Sequence, residues 1–217
     1  SLVEESMDFA GKCDTLNIPY VFMDSDIPHR SSLSYIGPEL SRSGYMAANL
    51  VSYLLKDNED VLIVNVSKQM ETDHHLLRKE DGFRGYFKEH HLKNDIHKID
   101  IRKIKYREIK KQLDPVFTKK KNIGLVFVTN SRVSHVAHYI KEEQKDVILV
   151  GYDFVKENIQ YLDEGIINFL ICQKPGEQAY KGVMALYKHI ILGLPVEEHI
   201  YMPIDVIMKS NYSFYSN

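Results

Sequence analysis

The segment Val147-Ile148-Leu149-Val150-Gly151-Tyr152-Asp153-Phe154 is an apolar run that ends abruptly in a polar loop. A second apolar run, 166–171, leads in the same way into Cys172-Gln173-Lys174-Pro175. Continuous runs of this kind are typical of strands that are covered on both faces of a parallel sheet. Because ligands of open α/β sheets lie beyond the carboxyl ends of the strands, Asp153 and Gln173 are predicted to face a binding crevice.

Two further predicted strands end in the same manner. Val21-Phe22-Met23 leads into Asp24, and the run 125–129 leads into Asn130. None of these four strand ends carries a serine nucleophile or a glycine-rich phosphate loop. Carboxylates and carboxamides pair well with hydroxyl groups, so the sequence predicts a neutral sugar or polyol as the ligand.

The composition is ordinary for a globular protein, and 217 residues suffice for one large domain or two small lobes. A net charge of −2 provides no basic field that would attract nucleic acid. Cys13 and Cys172 lie in apolar segments and are predicted to be buried thiols rather than a disulfide. No apolar stretch could span a bilayer and no signal peptide is visible, so we expect a cytoplasmic protein. A mature form that had lost its signal would show the same pattern.

Helical and strand patterns alternate along the chain. The predicted helices are 2–16, 41–55 with Ser41 as the cap, 82–90, 106–120 with a bend or break at Pro115, 133–143 and 176–192. The predicted strands are 19–23, 33–36, 61–66, 96–101 as a sheet edge, 124–129, the two runs quoted first, and one or two within 200–208. Repeated βα units predict an α/β fold, with mostly parallel strands and helices on both faces.

Five motifs resemble the effector-binding domain of lactose-repressor-type (LacI/GalR) transcription regulators, which is similar in turn to the periplasmic ribose-binding proteins. They occur in the family's order over essentially the whole chain: Ile18-Pro19-Tyr20-Val21-Phe22-Met23-Asp24, Gly82-Phe83, Val126-Phe127-Val128-Thr129-Asn130, Val150-Gly151-Tyr152-Asp153, and Gln173-Lys174-Pro175 with Gly182. Each motif is weak by itself. Five in sequence with compatible spacing make the resemblance specific.

The resemblance implies a two-lobed, periplasmic-binding-protein-like fold of type 1, with a sugar or nucleobase between the lobes. The amino-terminal lobe would comprise residues 1–37 and 174–196, and the carboxy-terminal lobe residues 38–173 and 197–217. The polypeptide would cross between the lobes near Gly37, near Gln173 and within 193–200. We expect the chain to open in mid-fold, with an incomplete amino-terminal lobe. Its first strands and a helix-turn-helix that reads operator DNA are expected to precede Ser1. The family also implies a homodimer.

The family's ligand contacts carry over position by position. Asp153 matches a carboxylate that takes two ligand hydroxyls, Asn130 matches the Asn that ends the preceding strand, and Gln173 matches the Gln at the last crossing. Asp24 matches a polar position at the crevice edge. The structural alternative is that Asp153 and Asn130 simply cap the helices that follow them.

The sequence departs from the family at one basic position. The family has an Arg three residues before the Gly-Phe pair, where this chain has Lys79, with Arg78 beside it. Lysine cannot reproduce a planar guanidinium fork, so either Lys79 acts as a point charge or Arg78 turns inward. His75, in the predicted loop after the strand 61–66, is a further candidate contact. Neighbouring histidines point in different directions on a helix, so no metal site and no cofactor are predicted.

Two classes of function remain open. The chain is either the sugar-sensing domain of a LacI-type regulator, in which ligand shifts the DNA-binding state, or the solute-binding protein of a sugar transporter. An enzyme is disfavoured, because no nucleophile–base pair or metal set converges at the predicted strand ends. The expected partners are therefore a small-molecule effector, operator DNA through the helix-turn-helix, and a second copy of the chain, with no membrane contact.

Overall fold

The computed structural model describes residues 2–27, 30–67 and 74–215. Helices and strands alternate through these residues. In chain order they are α1 (Leu2–Leu16), β1 (Val21–Met23), β2 (Ser34–Gly37), α2 (Leu40–Ser52), β3 (Asp60–Val66), α3 (His74–Glu89), β4 (Ile96–Ile101), α4 (Tyr106–Lys119), β5 (Ile123–Val128), α5 (Val133–Glu142), β6 (Ile148–Tyr152), α6 (Lys156–Asp163), β7 (Phe169–Cys172), α7 (Pro175–Ile190), β8 (His199–Tyr201), β9 (Asp205–Ile207) and a short 3-10 helix (Tyr212–Phe214).

The chain divides into two compact units. The first unit contains the chain up to Glu39 together with Gln173–Ile204, and the second contains Leu40–Cys172 together with the segment that starts at Asp205. The predicted boundary at residue 196 lies inside the first unit, because β8 pairs with β2. The third change of unit therefore falls after Ile204, later than the predicted crossing within 193–200.

The first unit is built on a parallel three-stranded sheet in the order β1-β2-β8. Successive side chains of β1 point to opposite faces of this sheet. Phe22 packs against the cluster of Ala10 and Cys13 from α1. On the other face, Met23 lies beside Gly182 of α7. The two helices therefore cover opposite faces of the sheet.

The second unit contains a six-stranded sheet in the order β4-β3-β5-β6-β7-β9. All neighbouring strands run parallel except β7 and β9, which are antiparallel. The apolar runs of β3, β5 and β6 lie at the centre and are almost wholly buried. The predicted α/β fold with mostly parallel strands is thus confirmed, and β4 is an edge strand as predicted. Both cysteines are free and buried, also as predicted.

Helices α2 and α3 cross in direct backbone contact. A Cβ atom on Gly44 would overlap the carbonyl oxygen of Lys79, and one on Gly82 would overlap the carbonyl oxygen of Ser41. Each helix therefore needs a glycine where the other crosses it. None of the described helices is long and apolar enough to cross a membrane.

Several predicted elements need correction. The third helix begins at His74, so His75 lies in its first turn rather than in a loop. Helix α2 already begins at Leu40, so Ser41 lies inside it and is not its cap. Pro115 lies within a continuous α4, which is neither split nor ended there. Helix α6 was not predicted at all, because it is short and its buried face consists only of Asn158 and Leu162.

Candidate ligand-binding site

The carboxyl ends of three neighbouring strands in the second unit bring polar residues together. Strands β3, β5 and β6 are adjacent and parallel, and they are followed by Ser67, Asn130 and Asp153 respectively. Ligands of open α/β sheets bind at this edge. Two of the predicted site residues, Asn130 and Asp153, therefore follow neighbouring strands of one sheet.

Asp153 is held in an unusual backbone conformation at the end of β6. Its φ of 71° lies in the left-handed region, which Asp tolerates better than most residues. Its amide donates to the carbonyl of Ile171 at 2.9 Å, and its own carbonyl accepts from Asn158 at 3.0 Å. Burial raises the pKa of the nearby Cys172 thiol to about 12, and the Asp153 carboxylate adds to that rise. The strand end thus fixes a negative charge in a defined position.

Asn130 uses its side chain to organise the loop after β5. Its Nδ2 donates to the carbonyl of Val66 at 2.7 Å, and its Oδ1 accepts from the amide of Arg132 at 3.2 Å. The N-cap of α5 is Arg132, so Asn130 shapes the loop before this helix and is not its cap. A carboxamide has two N–H groups and two lone pairs, so each end retains capacity for a ligand hydroxyl.

Lys79 is the inward-facing member of the basic pair. It is only 3% exposed, and its Nζ lies 3.8 Å from the centre of the Tyr152 ring in a cation–π contact. The Tyr152 hydroxyl is in turn hydrogen-bonded to Ser43 at 2.9 Å, and burial raises the pKa of this phenol. Arg78 and His75, in the preceding turn, are half-buried.

The other two predicted residues belong to the first unit. Asp24 directly follows β1 and, with a φ of 65°, repeats the left-handed conformation of Asp153. Its carbonyl accepts from the Tyr35 hydroxyl at 3.0 Å, and its side chain is exposed. Gln173 is 3% exposed, and its carbonyl accepts from the Gln178 side chain at 2.7 Å.

Two polar groups near these strand ends were not predicted from the sequence. The first is Asn65 in β3. Its Nδ2 donates to the Glu80 carboxylate at 3.2 Å and to the Asp100 carboxylate at 2.9 Å. Its Oδ1 accepts from the Thr129 hydroxyl at 2.6 Å. This buried network ties β3, β5, β4 and α3 together. A polar residue inside the otherwise apolar run 61–66 was the available signal.

The second missed group is Arg132, just after Asn130. Its Nη1 atom is buried and has no hydrogen-bond partner among the described residues. Unpaired buried donors are rare in folded proteins and call for an explanation. A ligand oxygen at the end of β5 would supply the acceptor. The pattern Asn130-Ser131-Arg132 at a strand end was the available signal.

Metal-ligating side chains come together at the opposite ends of the strands. Among the described residues, Asp60, Asp95 and His97 have ligand atoms within 4.8 Å of one another. Asp60 begins β3 and His97 lies in β4, so this group is at the amino-terminal edge, away from the candidate site. His97 Nε2 lies 3.0 Å from Asp60 Oδ2, which explains the proximity of these two as an ion pair or hydrogen bond.

Comparison with known proteins yields one matching family. Residues 5–193 match the model described as the periplasmic binding protein domain. No match was found among curated proteins. Among solved structures, a chain assigned to the LacI transcriptional regulators from Bacteroides fragilis is 29% identical, with a TM-score of 0.90 over 100% of this chain and 75% of the other.

Two sugar-binding proteins share the fold at lower identity. GanP, a glucose-galactose binding protein from Geobacillus stearothermophilus, is 22% identical with a TM-score of 0.80, over 92% of this chain and 71% of its own. An ABC transporter solute-binding protein from Burkholderia graminis, in complex with D-arabinose, is 14% identical with a TM-score of 0.83. The match covers 96% of this chain and 73% of that protein.

Proposed function

The chain belongs to the periplasmic binding protein family, and we propose that it is the sugar-sensing domain of a LacI-type transcriptional regulator. The observation that carries this proposal is the match to the Bacteroides fragilis regulator, which extends over 100% of this chain at 29% identity. The two sugar-binding proteins named above support a sugar as the ligand class.

The chemistry of the second unit's strand ends fits a polyhydroxylated ligand. A carboxylate at Asp153 accepts two hydroxyl hydrogens, the Asn130 amide both donates and accepts, and the Arg132 guanidinium donates. Lys79 adds a positive charge near the ring of Tyr152. Asp24, Arg78, His75 and Gln173 remain predicted contacts. None of these groups forms a helix N-terminal phosphate cradle, so a neutral sugar is favoured over a nucleotide.

A regulator of this kind would respond to sugar by a population shift. The sugar can favour one state only by its differential affinity for that state. We propose that this state sets the spacing of DNA-reading modules in a cytoplasmic homodimer, since paired modules must match half-sites about one helical turn apart. The chain itself has a net charge of −2 and is not expected to bind DNA.

The alternative is the solute-binding protein of a sugar transporter, and the Burkholderia graminis structure is the observation that favours it. Both functions require sugar binding, so a first experiment tests their common part. A ligand present at 100 times its Kd stabilises a protein by about 2.7 kcal/mol. This corresponds to a rise in Tm of roughly 5–10 °C for a chain of this size. A thermal-shift panel of D-arabinose, D-ribose, D-galactose, D-glucose and polyols, followed by calorimetric titration, should identify at least one such ligand.

The second experiment separates the two functions. Operator fragments selected from the organism's genome should bind the full-length gene product, and the identified sugar should change that affinity at least tenfold. Sugar binding without any sugar-sensitive DNA binding would favour the transporter component. A panel in which no sugar or polyol raises the Tm would contradict both.

A further inference from the structure

Three metal-ligating side chains meet at the amino-terminal edge of the six-stranded sheet. They are Asp60 at the start of β3, Asp95 just before β4 and His97 within β4, and their ligand atoms lie within 4.8 Å of one another. The strand register brings them together. It pairs Leu62 with His97, so Asp60, two residues earlier, is level with Asp95. Because side chains two residues apart point to the same face of a sheet, all three share one face.

The negative charge of this group is not offset by a basic side chain. Asp60 Oδ2 lies 3.0 Å from His97 Nε2, and the Asp95 carboxylate has no hydrogen-bond or ion-pair partner among the residues that the structure describes. Lys98, the only lysine of β4, forms its ion pairs with other carboxylates. Like charges opposite each other on neighbouring strands are destabilising. A bound divalent cation would remove this repulsion.

The backbone at the three ligands is held in place by hydrogen bonds. The amide of Asp60 donates to the carbonyl of Asn122 at 2.8 Å. The amide of Val61 donates to the carbonyl of Asp95 at 2.9 Å. The side chains of Asp60 and His97 are 22% and 23% exposed, whereas Asp95 is open to solvent. Two ligands are therefore fixed on the sheet, and the third lies where a cation would enter.

We propose that Asp60, Asp95 and His97 bind a first-row divalent metal ion, for which Zn²⁺ is the probe. Imidazole nitrogen and carboxylate oxygen bind zinc at about 2.0–2.2 Å, so the ligand atoms of a tetrahedral site are roughly 3.3 Å apart. The 3.0 Å between His97 Nε2 and Asp60 Oδ2 is already close to that separation. The exposed Asp95 side chain can close the remaining distance by rotating about its own bonds. Water completes the coordination.

The imidazole decides the class of ion. Ca²⁺ and Mg²⁺ prefer shells made of oxygen, whereas imidazole suits zinc and its first-row neighbours. Glu59, next to Asp60, would add oxygen ligands, but its carboxylate accepts from the amide and the ammonium of Lys56, each at 3.0 Å. Bound zinc would take the place of the proton that His97 Nε2 shares with Asp60. It would thereby link the edge strand β4 to β3.

Titration with ZnCl₂ tests the proposal on the full chain, freed of metal by a chelator that is then removed. The tightest Zn²⁺ site should be competed by Co²⁺ but not by Ca²⁺ or Mg²⁺ at the same concentration. Asp95→Asn and His97→Gln should each weaken this site at least tenfold, since groups that only support metal ligands already contribute about 10–100-fold. The matched controls are Asp146→Asn, at an exposed carboxylate before β6, and His189→Gln, at an exposed imidazole of α7. Both should keep the affinity of the unchanged protein.

The unfolding midpoint gives a second readout. The Asp95 carboxylate is exposed and has no partner among the described residues, so Asp95→Asn should leave the midpoint of the metal-free protein unchanged. Zn²⁺ should raise the midpoint of the unchanged protein and of both controls, and much less that of Asp95→Asn or His97→Gln. The proposal would be overturned by a tightest site that survives either ligand substitution, that weakens equally in the controls, or that prefers Ca²⁺. So would the absence of any Zn²⁺ binding.

Discussion

The carbonyl oxygen of Lys79 occupies the space where a side chain on Gly44 would begin, so α2 and α3 cross in direct backbone contact. The reciprocal contact between Gly82 and Ser41 fixes the same crossing one turn further along. Lys79 is thereby held with its ammonium over the ring of Tyr152. The crossing therefore positions a candidate ligand contact through backbone packing.

Gly44→Ala should destabilise the protein by about 3 kcal/mol, because the added methyl group forces the two helices apart. The gain in helix propensity, about 1 kcal/mol, cannot offset this. Chemical denaturation measures the difference. Gly85→Ala is the matched control, since it lies in α3 with no atom within 4 Å of an added Cβ, and it should stabilise by roughly 0.5–1 kcal/mol. Equal effects of the two substitutions on the free energy of unfolding would show that α2 and α3 can move apart at their crossing without loss of stability.

Asp153→Asn should weaken sugar binding by about 1.5–3 kcal/mol, because hydrogen bonds to a charged acceptor are the costly ones to lose. Asn tolerates the φ of 71° at this position, so stability should change little. Asp153→Ala would add backbone strain and is the less clean variant. Calorimetric titration with the sugar found in the thermal-shift panel gives the affinity. A folded Asp153→Asn protein with unchanged affinity would remove Asp153 from the site.

Arg132→Met should lower sugar affinity at least tenfold without lowering the stability of the ligand-free protein. The buried Nη1 has no hydrogen-bond partner among the described residues, so its removal relieves a desolvation cost, while Met preserves most of the packing. Denaturation without sugar and titration with sugar measure the two quantities. A large loss of stability without sugar would indicate that the guanidinium is structural.

The sheet could be predicted from sequence because its central strands are unbroken apolar runs bounded by polar loops. The runs 61–66 and 124–129 coincide closely with β3 and β5. Helix α3 was placed eight residues too late, since its first two turns are mainly polar and charged and Leu76 is their one buried apolar residue. These turns also bury Lys79 and Glu80, whose polar side chains hide the buried face of the helix from a sequence pattern.

The candidate site was partly predictable for the same reason. Asp153 and Asn130 stand directly at strand ends, and topology alone places them at one edge of the sheet. Asn65 and Arg132 were missed because their roles depend on side-chain partners, or on the lack of one, which no spacing rule encodes. The inward direction of Lys79 rather than Arg78 likewise follows from the register of α3 against Tyr152.

His135 in α5 should make the protein less stable in mild acid. Burial, and then the positive charge of Arg132, lower the pKa of this imidazole. The unfolded chain therefore binds a proton that the folded chain resists, and stability falls as pH drops below the unfolded value of about 6.5. Between pH 7.5 and pH 5.5 the free energy of unfolding, measured by denaturation, should fall less in His135→Gln than in the unchanged protein. Arg132→Met should reduce the loss as well, because it removes one cause of the shift. An identical loss in all three proteins would assign the acid sensitivity to other groups.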